Sequence, residues 1–254
     1  MDAPFAILKF AVRYQGTTFF GWQKTQEGPS IQSALEKACL PLFKTPVQLE
    51  AASRTDRGVH AYEQIIACAH FEPCHLPLDQ LQRALNARLP SAIQILHIEQ
   101  VPHDFHPTLQ ALKKEYLYQV CNTPYQLPFY REFSWHIPKK LDIELMQEGG
   151  RLLLGTHDFS AFCNERALWT KNPVCTLEKI EITQREEGRL FITYIGDHFL
   201  YKMVRNLTGT LVNLGLKTLS LKNLIIILEH KDRSLAPMTA PAHGLYLNKI
   251  YYLN

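Results

Sequence analysis

The apolar residues of this 254-residue chain pass through the same succession of periods twice, and few architectures accommodate that pattern. Residues 5–14 (FAILKFAVRY) read as a strand. The stretch from Ser30, SIQSALEKACLPLF, reads as a capped amphipathic helix, with Ile31, Leu35 and Ala38 at helical spacing. A strand and a turn-rich crossing follow at 46–62, then a strand at 64–71, a helix at 78–89 and a strand at 92–101. The order is strand, helix, strand, strand, helix, strand. Beyond a joining segment, HDFHPTLQAL (103–112), the rhythm returns. A strand at 114–122 and a helix at 144–154 precede a hairpin over 177–196 that turns at Glu187 and Gly188. Helices at 199–215 and 221–230 and a closing strand, GLYLNKIYYL, complete it. The pattern predicts an α+β fold of two βαββαβ-like halves, 1–104 and 105–254, with no repeat at the level of individual residues.

Composition narrows the class. With 46% hydrophobic and 20% charged residues the chain can bury a substantial core, which excludes disordered and fibrous classes. The longest purely aliphatic stretch, Leu224 to Leu228, is far too short to cross a bilayer, so no membrane association is expected. The opening MDAPFAILKF lacks a basic segment followed by an apolar run, and the expected location is the cytoplasm. Six cysteines without a repeated spacing indicate free thiols in a reducing compartment. A net charge of +3 permits an acidic partner, whose surface must come from local clustering of Lys and Arg.

The most informative local sequence is AASRTDRGVHAYE, from Ala51. Taken alone, Thr-Asp-Arg-Gly is a turn former. The crowding of an acid, Asp56, between Arg54 and Arg57 and beside the permissive Gly58 and His60 points to chemistry instead, because a positioned carboxylate can act as a covalent nucleophile. In LKKEYLYQV, Tyr116 and Tyr118 share one face of a strand. They are either a core-facing pair or, with Lys113 and Lys114 adjacent, a base-stacking platform beside phosphate contacts. Lys202 and Arg205, three apart in the helix expected from Phe199, would share a face. Asp158 and Asp197 lie in no context that marks a paired acid and base, as a glycosidase would need. The run CAHFEPCH offers Cys68, His70, Cys74 and His75, but no second cluster of standard spacing accompanies it, so no metal site is expected. Gly-rich phosphate loops and dinucleotide fingerprints are lacking.

These residues resemble the tRNA pseudouridine synthase A (TruA) family, in order and along nearly the whole chain. YQGTTFFGWQ (Tyr14 to Gln23) resembles the opening motif, SIQSALEKA the first helix, and SRTDRGVHA (Ser53 to Ala61) the catalytic motif. ALNARLP, KKEYLY, GTHDFSAFC, FLYKMVRNLTGTLVNLG and APAHGLYL follow. The resemblance implies two RRM-like halves forming one continuous, mainly antiparallel sheet with helices on one face. It also implies a cleft along the sheet and a homodimer that holds tRNA across both subunits. The implied reaction is conversion of uridine to pseudouridine at tRNA positions 38, 39 and 40, in the anticodon stem-loop.

Carried over residue by residue, Asp56 would attack at ribose C1′ or at uracil C6 or assist a glycal route, Tyr116 would stack on the base and could abstract the C5 proton, and Arg205 would pair with Asp56. Arg54 would fill the gap left by a flipped base. Arg57, Lys113, Lys114 and Lys202 would contact RNA. The isomerisation is redox-neutral, so no cofactor is expected. One departure stands in the linker: where the family carries Ala-Arg, this chain has Pro107 and Thr108. Two rivals belong to other classes. A non-catalytic RNA-binding protein of two RRM-like halves would have no use for an aspartate between arginines, and a small-molecule sugar hydrolase would need a second carboxylate.

Overall fold

The computed structural model describes residues 6–72, 74–164 and 172–253. Phe5, where the first strand was expected to open, lies outside them. The chain forms two compact units, Met1–Leu112 with Leu247–Asn254, and Lys113–Tyr246. Both are mixed α and β, and the strand pairs are mostly antiparallel.

In the first unit, β1 (Ala6–Tyr14) lies between β3 (His60–His70) and β4 (Ile93–Val101), antiparallel to both, and β2 (Gln48–Ala51) pairs with β3. The helix expected from Ser30 is α1 (Ile31–Phe43). Ser30 is its N-cap, its hydroxyl accepting from the Ser33 amide while Ser33 answers to the Ser30 amide, which satisfies two donors a helix start leaves open. Phe10, Val12, Ile31, Leu35 and Ile66 are essentially fully buried. α2 (Leu78–Asn86) packs against β4 with Leu81 and Leu85 inward.

In the second unit, the antiparallel order is β5 (Lys113–Cys121), β9 (Arg189–Gly196), β8 (Val174–Gln184), β7 (Gly155–Asp158). Short β6 (Trp135–His136) runs parallel to β5. At two and four residues, β6 and β7 are too short to show a period, and sequence reading missed both. The β8–β9 hairpin turns where expected, with Glu187 at φ 57° and Gly188 at φ 66°, consecutive left-handed residues that match the strand twist.

α3 (Ile143–Leu152) packs on β8, and α4 (Met203–Gly215) and α5 (Leu221–His230) follow. β10 (Leu245–Tyr251) returns the chain to the first unit at Leu247. The helix expected from Phe199 begins only at Met203. Lys202 adopts φ 61°, a left-handed conformation that cannot continue a right-handed helix, so Tyr201 and Lys202 form a turn closed by the Met203 amide on the Leu200 carbonyl. Lys202 and Arg205 therefore do not share a helix face. Among the described residues, no helix is long and apolar enough to cross a membrane.

Candidate active site

Asp56 stands half-exposed in the crossing between β2 and β3, flanked by the exposed Arg54 and Arg57. Its turn is held by backbone bonds on both sides. The Trp22 amide donates to the Thr55 carbonyl at 3.0 Å, and the Val59 amide donates to the Asp56 carbonyl at 3.1 Å. Gly58 takes φ 79°, the conformation its place in a Thr-Asp-Arg-Gly turn foretold. Gly21 explains the opening motif. At φ 94°, a Cβ there would lie 2.7 Å from the Thr55 carbonyl oxygen and 3.1 Å from the Arg57 amide nitrogen, so only glycine lets this segment press against the aspartate turn.

Beneath the turn lies a polar network that sequence reading missed. Tyr14, Thr55 and Gln64 are all buried, and the Tyr14 and Thr55 hydroxyls are 2.8 Å apart. Gln64 donates to the Ser53 carbonyl at 2.6 Å and accepts from the Ser53 amide at 3.3 Å. The Gly16 amide donates to His60 Nδ1 at 3.1 Å. Buried polar groups mark the network, but no sequence period brings Tyr14 to Thr55 across forty-one residues. The linker departure has a local role: the Thr108 hydroxyl donates to the Ala51 carbonyl at 3.1 Å, at the entrance to the same crossing. Arg57 carries its guanidinium 4.1 Å from the centre of the Phe20 ring, a cation–π contact.

In the second unit, Tyr116 and Tyr118 share a face of β5, as alternation requires, and both are buried. Tyr116 meets Phe199 edge-on, ring centres 5.0 Å apart. Tyr118 is a core residue, fully buried, its hydroxyl donating to the Pro241 carbonyl at 2.7 Å. Burial pushes that hydroxyl well above the usual tyrosine range, with the Arg205 charge pulling the other way, so it remains a neutral donor. Arg205 holds the adjacent residue: its Nε donates to the Ala240 carbonyl at 2.8 Å, and the Ala240 amide donates back to the Arg205 carbonyl at 3.1 Å. The APAHGLYL motif is thus a strap fastened to α4. Burial lowers the basicity of His243, within it; the backbone at Ser134 opposes that, Arg205 adds to it and Glu132 opposes it.

The expected lysine patch is divided. Lys113 and Lys114 point to opposite faces of β5; Lys113 pairs with Glu178 at 2.8 Å, and Lys114 is buried beside Tyr116 in the alternation. Lys202 sets its ammonium 5.0 Å from the Tyr201 ring centre. In CAHFEPCH, Cys68 and His70 are buried, and His70 Nδ1 lies 2.8 Å from the Glu72 carbonyl while its ring packs on Phe43. Among the described residues no group of three or more His, Cys, Asp or Glu side chains could hold a metal ion. Asp158 is engaged with Ser160 and Lys231, and Asp197 with the Thr176 and His198 amides.

A family model described as tRNA pseudouridine synthase matches residues 10–108 and 151–253. The protein called tRNA pseudouridine synthase A 2 in Protochlamydia amoebophila (strain UWE25) is 40% identical over 246 residues, covering 96% of this chain and 94% of its own. A tRNA pseudouridine synthase A of Methylacidiphilum infernorum (isolate V4) is 40% identical, over 96% of this chain and 94% of its own. One of Staphylococcus aureus (strain bovine RF122 / ET3-1) is 37% identical, over 94% and 88%. The solved structure of an H/ACA RNP bound to a substrate RNA containing 2′-deoxyuridine is similar at TM-score 0.38 and 10% identity, over 82% of this chain and 43% of that chain. At that level the likeness carries no weight, and membership rests on the sequence matches. The chain belongs to the tRNA pseudouridine synthase A family, whose members isomerise uridine to pseudouridine in tRNA.

Proposed function

We propose that this enzyme acts on uridines 38, 39 and 40 of the tRNA anticodon stem-loop, with Asp56 as the nucleophile. What supports the reading is the half-exposed Asp56 carboxylate on a turn whose backbone is fastened at Thr55 and Val59 and backed by the Tyr14–Thr55–Gln64 network. Such a carboxylate is pre-positioned without being sealed from a substrate, as covalent catalysis requires. In the reaction the bond from ribose C1′ to uracil N1 breaks, the detached base turns, and C1′ bonds to C5. C5 gives up a proton and N1 gains one, so no redox partner enters.

In this reading Tyr116 stacks on the flipped base and takes the C5 proton, and Arg205 supplies positive charge. Arg54 occupies the gap left in the RNA, and Arg57, Lys113, Lys114 and Lys202 contact phosphates. The working form is a cytoplasmic homodimer. Asp56→Asn tests the central assignment: it keeps the size of the side chain and removes the charge. Single-turnover pseudouridine formation in an anticodon stem-loop should fall by several orders of magnitude, with thermal unfolding and RNA affinity little changed. A folded Asn variant within about tenfold of the parent, about 1.4 kcal/mol of barrier, would remove Asp56 from the role.

A further inference from the structure

We propose that the loop between β5 and β6, the residues that follow β6 and the β8–β9 turn form an RNA surface that binds an unpaired stretch of tRNA. This rests on the reading of tRNA as substrate and adds a contact surface to it. The β5–β6 loop lies in residues 109–150, between the two stretches that the family model matches.

These segments are one body within the second unit. The Asn122 amide donates to the Gly188 carbonyl at 2.9 Å, and its side chain donates to the carbonyls of Ile137 and Lys139 at 2.8 and 2.7 Å. On this base stand Tyr125 and Phe129, 85% and 89% exposed, the two most exposed large hydrophobic side chains among the described residues. Rings so open to water are suited to stacking bases, which every nucleotide can offer.

The cations around them outnumber the carboxylates. Elsewhere, Lys9, Lys24, Lys113, Lys179, Lys217 and Lys231 each pair with a carboxylate. Arg131, Lys139, Lys140, Arg185 and Arg189 form no such pair among the described residues. Arg189 lies 4.5 Å from the Tyr130 ring centre and 5.8 Å from that of Phe191, which Arg185 also approaches at 5.8 Å. Its Nε and the Nε2 of Gln126 are buried without a hydrogen-bond partner. Three exposed carboxylates, Glu132, Glu186 and Glu187, stand nearby and leave the surface net positive. The Arg189 guanidinium lies over the Tyr130 ring, and exposed cations set beside exposed rings suit phosphates and bases. A second copy of this chain is the poorer fit, since a two-fold contact would bring one net positive patch against the same patch.

Two variants test it: Tyr125→Ala with Phe129→Ala, and Arg131→Gln with Lys139→Gln, Lys140→Gln and Arg185→Gln. The readouts are affinity for a tRNA transcript across a salt series, sedimentation velocity and thermal unfolding. The aromatic pair should weaken binding about tenfold or more. The charge set should flatten the salt dependence by about 0.7–0.9 in log–log slope for each phosphate no longer neutralised. Sedimentation, unfolding and turnover at saturating tRNA should match the parent. Unchanged affinity and slope in both variants overturn the proposal, and so does weaker binding accompanied by altered sedimentation, which would make this face a contact between copies. Absence of pseudouridine from the parent's product would strike the proposed chemistry and leave the binding result standing.

Discussion

The phenolic oxygen of Tyr14 lies 2.8 Å from the hydroxyl of Thr55, the residue before Asp56, and both side chains are buried. Burial pushes the Tyr14 hydroxyl up to about 12, while its hydrogen bonds with Thr55 and Gln64 pull the other way. The last residue of β1 thereby supports the aspartate turn from below with a neutral hydroxyl.

Tyr14→Phe keeps the ring and removes that hydroxyl. Stability should fall by about 1–2 kcal/mol, the cost of a lost buried hydrogen bond, read from denaturant midpoints. Turnover should drop while tRNA affinity holds. The variant also changes the alkaline limb. Because the folded value lies above the unfolded one of about 10, the Tyr14 contribution is complete below about pH 10 and lost as pH rises towards about 12. The Phe variant should lose stability less steeply over that window, keeping the part due to Tyr118 and Tyr194, whose hydroxyls burial also raises. Parallel pH profiles for parent and variant would contradict this.

Gly21→Ala places a methyl at φ 94° and 2.7 Å from the Thr55 carbonyl oxygen. Backbone strain of this kind costs about 1–3 kcal/mol. The displaced turn should lower single-turnover rates by more than about tenfold, with tRNA affinity nearly unchanged. A rate equal to the parent's would show that the turn tolerates movement.

Tyr116→Phe preserves the edge contact with Phe199 and deletes only the hydroxyl. If that hydroxyl handles the C5 proton, turnover should fall by about a hundredfold or more, with melting and tRNA affinity retained. Near-normal rates would reduce Tyr116 to a stacking residue.

Lys113 already faces Glu178 at 2.8 Å. Lys113→Gln should therefore flatten the salt dependence of tRNA binding by less than one full phosphate's worth, and Glu178→Gln should steepen it by releasing the lysine. Lys114→Gln gives the independent comparison from the opposite face of β5. Slopes unchanged in all three variants would remove both lysines from the RNA surface.

Much of this protein was legible in its residues. Period-two and period-3.6 patterns placed the long strands and helices, because side-chain direction follows backbone geometry locally. Ser30 announced α1, and Glu187 with Gly188 announced the hairpin, since caps and turns are decided within a few residues. The turn-forming run Thr-Asp-Arg-Gly marked the turn now seen with Gly58 left-handed. Local pattern failed where distant contacts decide. Helical spacing ran from Phe199, yet the chain turns at Lys202 before α4 begins. Lys113 and Lys114 are neighbours in sequence and opposites on β5. Tyr14 reaches Thr55, and Arg205 reaches Ala240, only when strands and helices pack. A sequence carries propensity and periodicity at short range; which buried donor meets which acceptor is settled by packing, where each must find a partner or bear the cost of desolvation.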